Sequence, residues 1–332
     1  MSRRFVSQLA PKEQVDQIFL ACNKQLRPNR NGNLYLQVQL VDRSGSINGM
    51  MWNANDQVYR NFDNGDYVSV TGTAQLYNGD MQLIVTSIDR VAPSTVNEED
   101  FLRVSNRQID QLTVRLTELL REVRNPHLRN LVDCFLLDEA FMRKFTAAPA
   151  AVKNHHAYRG GLLEHVVNML EVTRRIADLY PQVDAEVLRV GVFLHDVGKI
   201  DELSYERDFG YTDEGQLIGH LVMGAGILDA KVREAERLSG QPIPHETVLR
   251  IKHMILSHHG SYEFGSPKLP MTLEAVALSH IDDLDAKLHS FDQLMRDDPN
   301  VDSAWTPFQQ NLSRKLYKGP PANPTAAEDH EE

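Results

Sequence analysis

The sequence predicts two domains of different class in tandem, a small all-β barrel followed by an all-α bundle, and three observations predict it. Between residues 12 and 92 apolar and polar residues alternate, as Leu34, Leu36, Val38 and Leu40 do with Tyr35, Gln37 and Gln39, which is the period of a half-buried strand. From Asp110 onward the period lengthens to that of an amphipathic helix. Between them lie Pro93-Ser94-Thr95 and the acidic Asn97-Glu98-Glu99-Asp100, a linker or short capped helix. At 332 residues the chain is long enough for about two domains with ample cores.

In the first domain, the strand over Leu34–Leu40 ends at a turn, Asp42-Arg43-Ser44-Gly45-Ser46, that leads into Ile47–Trp52. Asn64-Gly65-Asp66 turns the chain before Tyr67–Tyr77, and Asn78-Gly79 is a type I′ hairpin signal before Met81–Val85. Five short strands with one brief helix near Asp56–Phe62 fit an OB barrel. Such barrels commonly bind single strands by stacking bases on aromatic rings beside a basic groove. Tyr35, Trp52 and Tyr77 are the candidate platforms, with Lys24, Arg27, Arg30 and Arg43 as the charges. The competing reading makes Trp52 and Tyr67 barrel core or docking residues and the arginines a solvated face.

In the second domain, Leu112, Val114, Leu116, Leu119 and Leu120 mark a first helix. Asn125-Pro126 starts another through Leu131, Cys134, Phe135 and Leu136, and Asp138 caps a third through Phe141, Met142 and Phe145. The helical domain is expected to end near Tyr317. Its last apolar stripe, Trp305, Phe308, Leu312 and Leu316, is expected to pack on its own domain, with an interface between copies of the chain as the alternative. The Pro/Ala tail, with Glu328, Asp329, Glu331 and Glu332, is expected to be disordered.

Composition excludes several classes. Apolar content of 42% and charged content of 24% are those of a soluble globular protein. Cys22 and Cys134 stand far apart without a partner motif, which argues against a disulfide framework and a cysteine zinc site. Met1-Ser2-Arg3-Arg4-Phe5 opens no signal peptide and no run approaches a membrane span, so a cytoplasmic protein with no membrane partner is expected. The net charge is −11. Residues 1–95 hold nine Lys/Arg against eight Asp/Glu, which leaves 26 against 38 for the remainder. That argues against a broad non-specific DNA surface and leaves room for a narrow single-strand channel.

The chemistry centres on Phe193-Leu194-His195-Asp196-Val197-Gly198-Lys199, an apolar helix that runs into an imidazole and a carboxylate. Burying both is costly unless something compensates them, and a divalent cation is the usual compensator. Further donors stand at other helix faces and ends: His165 upstream, then His220, His258-His259 and Asp282. Imidazole and carboxylate without thiolate suit Mn²⁺, Fe²⁺, Ni²⁺ or Zn²⁺. His195 and Asp196 head this set; a second ion needs more ligands, which His220 and His258 can supply, with Asp196 bridging. His259 is open between a ligand, a residue behind the ligands and a phosphate contact. His253, five residues before His258, is expected on another face; His280 and Asp283 compete with Asp282. Lys199 is either a phosphate contact or a surface lysine. His155, His156 and Arg159 gather before the first donor and are candidates to grip substrate or protonate a leaving oxygen.

These residues resemble the HD-domain metal-dependent phosphohydrolases, named for the His-Asp pair. Within them, Asn154–His165, Lys252–Gly260, Gly265-Ser266-Pro267-Lys268 and Ile281–Lys287 are similar to the YhaM-type 3′→5′ exoribonucleases. The resemblance implies an OB-fold barrel over residues 1–92, a linker over 93–109, an HD-domain helical bundle over 110–318 and a tail over 319–332. It also implies that His165 and Asp282 join His195 and Asp196 in holding one ion, and a two-metal hydrolysis of single-stranded RNA, with single-stranded DNA as a second substrate, that releases 5′-mononucleotides. Asp196, Lys199 and His259 are the expected catalytic groups, with Mn²⁺ favoured over Fe²⁺, Ni²⁺, Co²⁺ and Zn²⁺. Cleavage at a terminus, its direction and the preference for RNA come from the resemblance alone. Two other readings stand beside it: a phosphodiesterase or nucleotidase for a small cyclic or linear nucleotide, and a nucleic-acid-binding adaptor whose HD domain is structural.

Overall fold

The alternating segments form five strands, β1 (Gln14–Pro28), β2 (Leu34–Asp42), β3 (Gly45–Trp52), β4 (Tyr67–Tyr77) and β5 (Asp80–Val91). In the computed structural model, which describes residues 3–29, 31–77, 80–101, 104–151, 158–205, 210–298, 300 and 302–320, they close a barrel in the order β1-β2-β3-β5-β4. All neighbours pair antiparallel except β3 and β5, which run parallel over Asn48–Met50. The inward set is the apolar half of each alternation: Val15 and Phe19, then Leu36, Val38 and Leu40, Val68 and Val70, Leu83 and Val85, all buried. Each such side chain contributes roughly 1.5–3 kcal/mol of burial.

A short helix, α1 (Asp56–Arg60), is capped by Asn55, whose side chain accepts the amide of Val58. The Asn78-Gly79 turn and Arg30 lie outside the described residues. So do His155, His156 and the chain from Pro321 on.

The helical residues form α2 (Asn106–Arg121), α3 (Pro126–Leu136), α4 (Glu139–Ala147), α5 (Gly161–Ile176), α6 (Ala185–Leu194), α7 (Lys199–Glu202), α8 (Asp213–Ile218), α9 (His220–Ser239), α10 (His245–Ser257) and α11 (Leu273–Arg296). A two-strand ribbon, β6 (Leu203–Ser204) with β7 (Gly210–Tyr211), sits between α7 and α8. Helix α2 starts four residues before the period change at Asp110. Ser105 and Gln108 form a capping box there, a local polar exchange that apolar periodicity does not report.

Helix α6 is the centre of this unit, since every residue from Val187 to Leu194 is buried. Helices α5 and α10 pack against it. Near its C-terminal end Phe193 meets Phe135 and Phe145 edge to face, with ring centroids 5.6 and 5.4 Å apart. The end of α6, which carries the His-Asp pair, is thereby seated among rigid neighbours.

The chain divides into two compact units, Met1–Phe101 with His289–Glu332, and Leu102–Leu288. Residues 289–318 therefore group with the barrel, where the sequence reading put them in the helical domain. The expected apolar stripe is also not a helix. Trp305 pairs with Tyr317 and Gln309 with Arg314 in antiparallel bridges, and Thr306 donates its amide to Leu316. Pro307 cannot donate a helical hydrogen bond, and of the four only Leu316 is buried.

The register of β4 and β5 shifts between Thr71 and Gly72, where a Cβ on Gly72 would lie 2.4 Å from the carbonyl oxygen of Ile84. Only glycine admits that approach. Gly72→Ala is expected to destabilise the barrel by about 1–3 kcal/mol, read as a lower denaturant midpoint; an unchanged midpoint would show that β5 yields without cost.

Candidate metal centre

The His-Asp pair stands where α6 stops. His195 is the C-cap of the helix, and the turn through Val197 and Gly198 leads into α7. Gly198 sits against the start of α9: a Cβ there would be 2.1 Å from the carbonyl oxygen of His220. The glycine after the pair is thus what lets His220 approach Asp196. Gly260 does the same on the far side, with a left-handed φ of +78° and a would-be Cβ 2.6 Å from Ser279 Oγ on α11.

Five imidazoles converge here, and each is held by Nδ1. His195 Nδ1 lies 2.8 Å from the carbonyl of Val192, His258 Nδ1 2.8 Å from that of Ile255, and His259 Nδ1 2.7 Å from that of Phe264. A carbonyl only accepts, so these nitrogens donate, and in the neutral ring Nε2 is then the atom that can coordinate a cation. His165 Nδ1 is 2.7 Å from Asp285 Oδ2, and His220 Nδ1 is 3.0 Å from Glu202 Oε1. Ring nitrogens then face each other: His165 and His195 Nε2 are 3.3 Å apart, as are His220 and His259 Nε2. Such pairs repel unless a proton or a cation lies between them.

Asp196 stands in the middle. Its Oδ2 is 3.3 Å from His195 Nε2 and 2.6 Å from Lys199 Nζ. Its Oδ1 lies 3.5 Å from His258 Nε2 and 3.6 Å from His220 Nε2, too long for ordinary hydrogen bonds, and has no hydrogen-bond partner among the described residues. A buried carboxylate oxygen without a hydrogen-bond partner, facing two imidazole nitrogens, is what a divalent cation resolves, so the donor set fits one. Three donor groups each fall within 4.8 Å: His165, His195 and Asp282; His195, Asp196 and His258; His220, His258 and His259.

The charges agree. Burial alone would lower the pKa of His165, but Asp282 and Asp285 outweigh it and lift it to about 9, so this corner of the site demands positive charge. Burial pushes His258 down to about 4 against the pull of Asp196, keeping it neutral as a ligand must be. Burial would raise Asp196, but Lys199 and His195 hold it well below the usual carboxylate range. Lys199 in turn stays an ammonium, its burial outweighed by Asp196.

Of the residues singled out from sequence, His165, His195, Asp196, His220, His258, His259, Asp282 and Lys199 come together in the helical unit. Six of them, Asp196, Lys199, His220, His258, His259 and Asp282, line a cavity of about 830 Å³. His253 accepts the amide of Met271, away from these groups. Asp283 pairs with Lys287, and both, though exposed, line the cavity together with His280. Arg159 is exposed. Asp285 and Glu202 were not foreseen. Asp285 lies one turn from Asp282 on the same face of α11, a signal that spacing carried; Glu202 reaches His220 through the turn at Gly198, and spacing carried nothing.

In the barrel unit Arg27, Tyr35 and Trp52 are cross-strand neighbours in one row, with the Tyr35 and Trp52 rings 5.3 Å apart. Tyr77 is 59% exposed at the end of β4. Arg43 covers the ring of Phe5 at 4.1 Å. Lys24 departs from the expectation of a groove cation. Its side chain is 9% exposed, and its ammonium donates to the carbonyls of Tyr59 and Phe62 and pairs with Asp63, closing the end of α1.

Residues 162–287 match the HD domain family, and residues 22–91 match the OB-fold nucleic acid binding domain family. Three proteins, each named 3′-5′ exoribonuclease YhaM, align with most of the chain. The Bacillus subtilis protein is 37% identical over 284 residues, 85% of this chain and 88% of its own length. That of Bacillus velezensis is 37% identical over 287 residues with the same coverage, and that of a Geobacillus species 36% identical over 285 residues, 85% of each. These matches do not favour the small-nucleotide or adaptor readings. Among the described residues no helix is long and apolar enough to cross a membrane.

Glu202 holds His220 through both its amide, at 2.9 Å, and its ring. Glu202→Gln is expected to weaken Mn²⁺ or Zn²⁺ binding about 10- to 100-fold, measured by titration calorimetry. Wild-type affinity in the variant would mean that His220 takes no part in holding metal.

Proposed function

The chain belongs to the YhaM family of 3′-5′ exoribonucleases, and we propose that it releases 5′-mononucleotides one at a time from single-stranded RNA at the imidazole-carboxylate cluster of its helical unit. The observation that carries this reading is Asp196. Its two oxygens face two separate imidazole groups, which supports a pair of cations with Asp196 between them. His165, His195 and Asp282 would hold one, His220, His258 and His259 the other. His259 belongs with the ligands on this reading, since its Nε2 is turned to His220.

Divalent cations bound there, with Mn²⁺ favoured, supply Lewis-acid stabilisation of phosphoryl charge and acidify a water molecule. Hydrolysis adds water to the phosphorus of the last phosphodiester, breaks its bond to the preceding O3′, and returns a proton to that oxygen. Lys199 is held protonated beside Asp196, so it serves as a charge and not as a base: its ammonium, on the cavity wall, donates to a non-bridging phosphate oxygen. Asp285, Glu202 and three backbone carbonyls fix the imidazoles in advance, so the site needs little reorganisation as charge develops. Arg159, with His155 and His156, remains the proposed grip on the terminal nucleotide.

The barrel contributes an independent grip on the strand. Trp52, with its ring half-exposed, and Tyr35 offer a face for unstacked bases, and Arg27 in the same row offers charge to the backbone. Tyr77 and Arg43 are further contacts. Lys24 is not, because its ammonium is already engaged.

With Mn²⁺ present, the wild type is expected to shorten 5′-labelled single-stranded RNA in single-nucleotide steps from the 3′ end, faster than matched DNA. Activity should fall to background with EDTA and in Asp196→Ala. Stable RNA with metal-loaded protein would sink the reading. In the Asp196→Ala background, Trp52→Ala is expected to weaken oligonucleotide binding by about 1–3 kcal/mol, by fluorescence anisotropy. Lys24→Ala should instead lower barrel stability; equal effects on binding would place the strand elsewhere.

A further inference from the structure

The cavity wall that leads to the imidazoles carries a group that neither holds metal nor contacts phosphate. Phe264 ends a 3-10 turn, Tyr262–Phe264, that follows His258-His259-Gly260 directly. Its carbonyl accepts the Nδ1 proton of His259 at 2.7 Å, while its ring lines the cavity and is 71% exposed. The turn is not loose. Phe264 and Ser266 donate their amides to Ser261, Gly265 supplies a left-handed φ of +83°, and the buried Ser266 hydroxyl reaches the carbonyls of Leu256 and Lys268 at 3.1 and 2.7 Å. The backbone that carries the phenyl ring is therefore fixed, and the ring stands in solvent on the wall of the cavity that holds the donors. Tyr211 of β7, 50% exposed, lines the same cavity.

We infer that Phe264 is the stacking platform for the base of the 3′-terminal nucleotide, with Tyr211 as a second aromatic contact, so that base and scissile phosphate are placed by one loop. This rests on the exoribonuclease reading. The chemistry of the occupant follows from the wall. Asp196, Lys199 and the imidazoles take the phosphate, and the apolar rings beside them suit a flat, weakly hydrated π-face. Every nucleobase has such a face, so the contact grips without choosing sequence, as stepwise removal of successive nucleotides requires. The link from the Phe264 carbonyl to His259 fixes the ring relative to the metal donors. Stacking should thus position the terminal phosphate as well as strengthen binding.

The test compares 5′-labelled RNA ending in an ordinary nucleotide with the same RNA ending in an abasic ribose, using full-length wild type and the variants Phe264→Ala, Phe264→Leu, Phe264→Trp and Tyr211→Ala. Wild type is expected to remove the base-bearing terminus faster. Phe264→Ala and Phe264→Leu should lose roughly 10- to 100-fold in kcat/KM on that terminus and little on the abasic one, so the preference collapses. Phe264→Trp should restore it, and Tyr211→Ala should give a smaller loss of the same kind. Bound Mn²⁺, measured on each variant, should stay at the wild-type ratio. Equal losses on both termini would show that Phe264 merely supports the His259 turn and would overturn the inference. So would a wild type indifferent to the base, or leucine equal to phenylalanine. A wild type that degrades neither RNA would instead fail the exoribonuclease reading, and the platform with it.

Discussion

The structure of the helical unit depends on one buried charge, the carboxylate of Asp196. It is 2% exposed, at the end of a helix buried throughout from Val187 to Leu194, where an isolated carboxylate would be strongly destabilising. Lys199 offsets part of that cost through one oxygen, and the other oxygen faces the imidazoles of His220 and His258. A divalent cation held by this donor set would offset more of it, and its binding would then add to stability.

The site is built less by its donors than by what restrains them. Each imidazole has one nitrogen committed to an oxygen, and three of those oxygens belong to the backbone at helix ends. A ring tied at Nδ1 to a carbonyl keeps its tautomer and its direction. Two glycines complete the arrangement by permitting approaches that a Cβ would forbid, Gly198 against His220 and Gly260 against Ser279. The packing of Phe193 among Phe135 and Phe145 holds the frame still. Geometry of this kind costs side-chain entropy during folding instead of during the reaction, which is the physical content of preorganisation.

The parts of this plan that were legible in sequence are those with a local signal. The strand alternation of Leu34–Leu40 and the His-Asp pair at the end of an apolar run can be read without a structure, because each pattern expresses its own burial. The capping box at Ser105 and the donors' partners lie elsewhere on the scale. Asp285 was within reach through its spacing from Asp282, whereas Glu202 meets His220 only because a glycine turn folds α7 beneath α9. Lys24 shows the converse error. A cation in a strand beside aromatic residues has the composition of a nucleic-acid contact, yet the open end of α1 takes it first. Residues after Arg296 were misread for a related reason: Trp305, Phe308, Leu312 and Leu316 have helical spacing, but Pro307 and backbone pairing with Tyr317 set the conformation.

The net charge of −11 bears on how such a chain handles RNA. Four of the acids in the helical unit, Asp196, Glu202, Asp282 and Asp285, are paired with imidazoles or Lys199. Two of the barrel unit's arginines, Arg3 and Arg43, lie over the ring of Phe5. This charge balance argues against a broad basic RNA-binding surface, and little of the grip on RNA is then expected from counterion release. What it presents instead are aromatic faces: the Tyr35–Trp52 row on the barrel and, in the helical unit, Phe264 and Tyr211 on the wall of the metal-binding cavity. Stacking accepts any base in turn and releases it without a sequence-dependent penalty. A nuclease that must repeat one step along an arbitrary strand is better served by that than by specific hydrogen bonds, because each tight contact made would have to be broken at the next nucleotide.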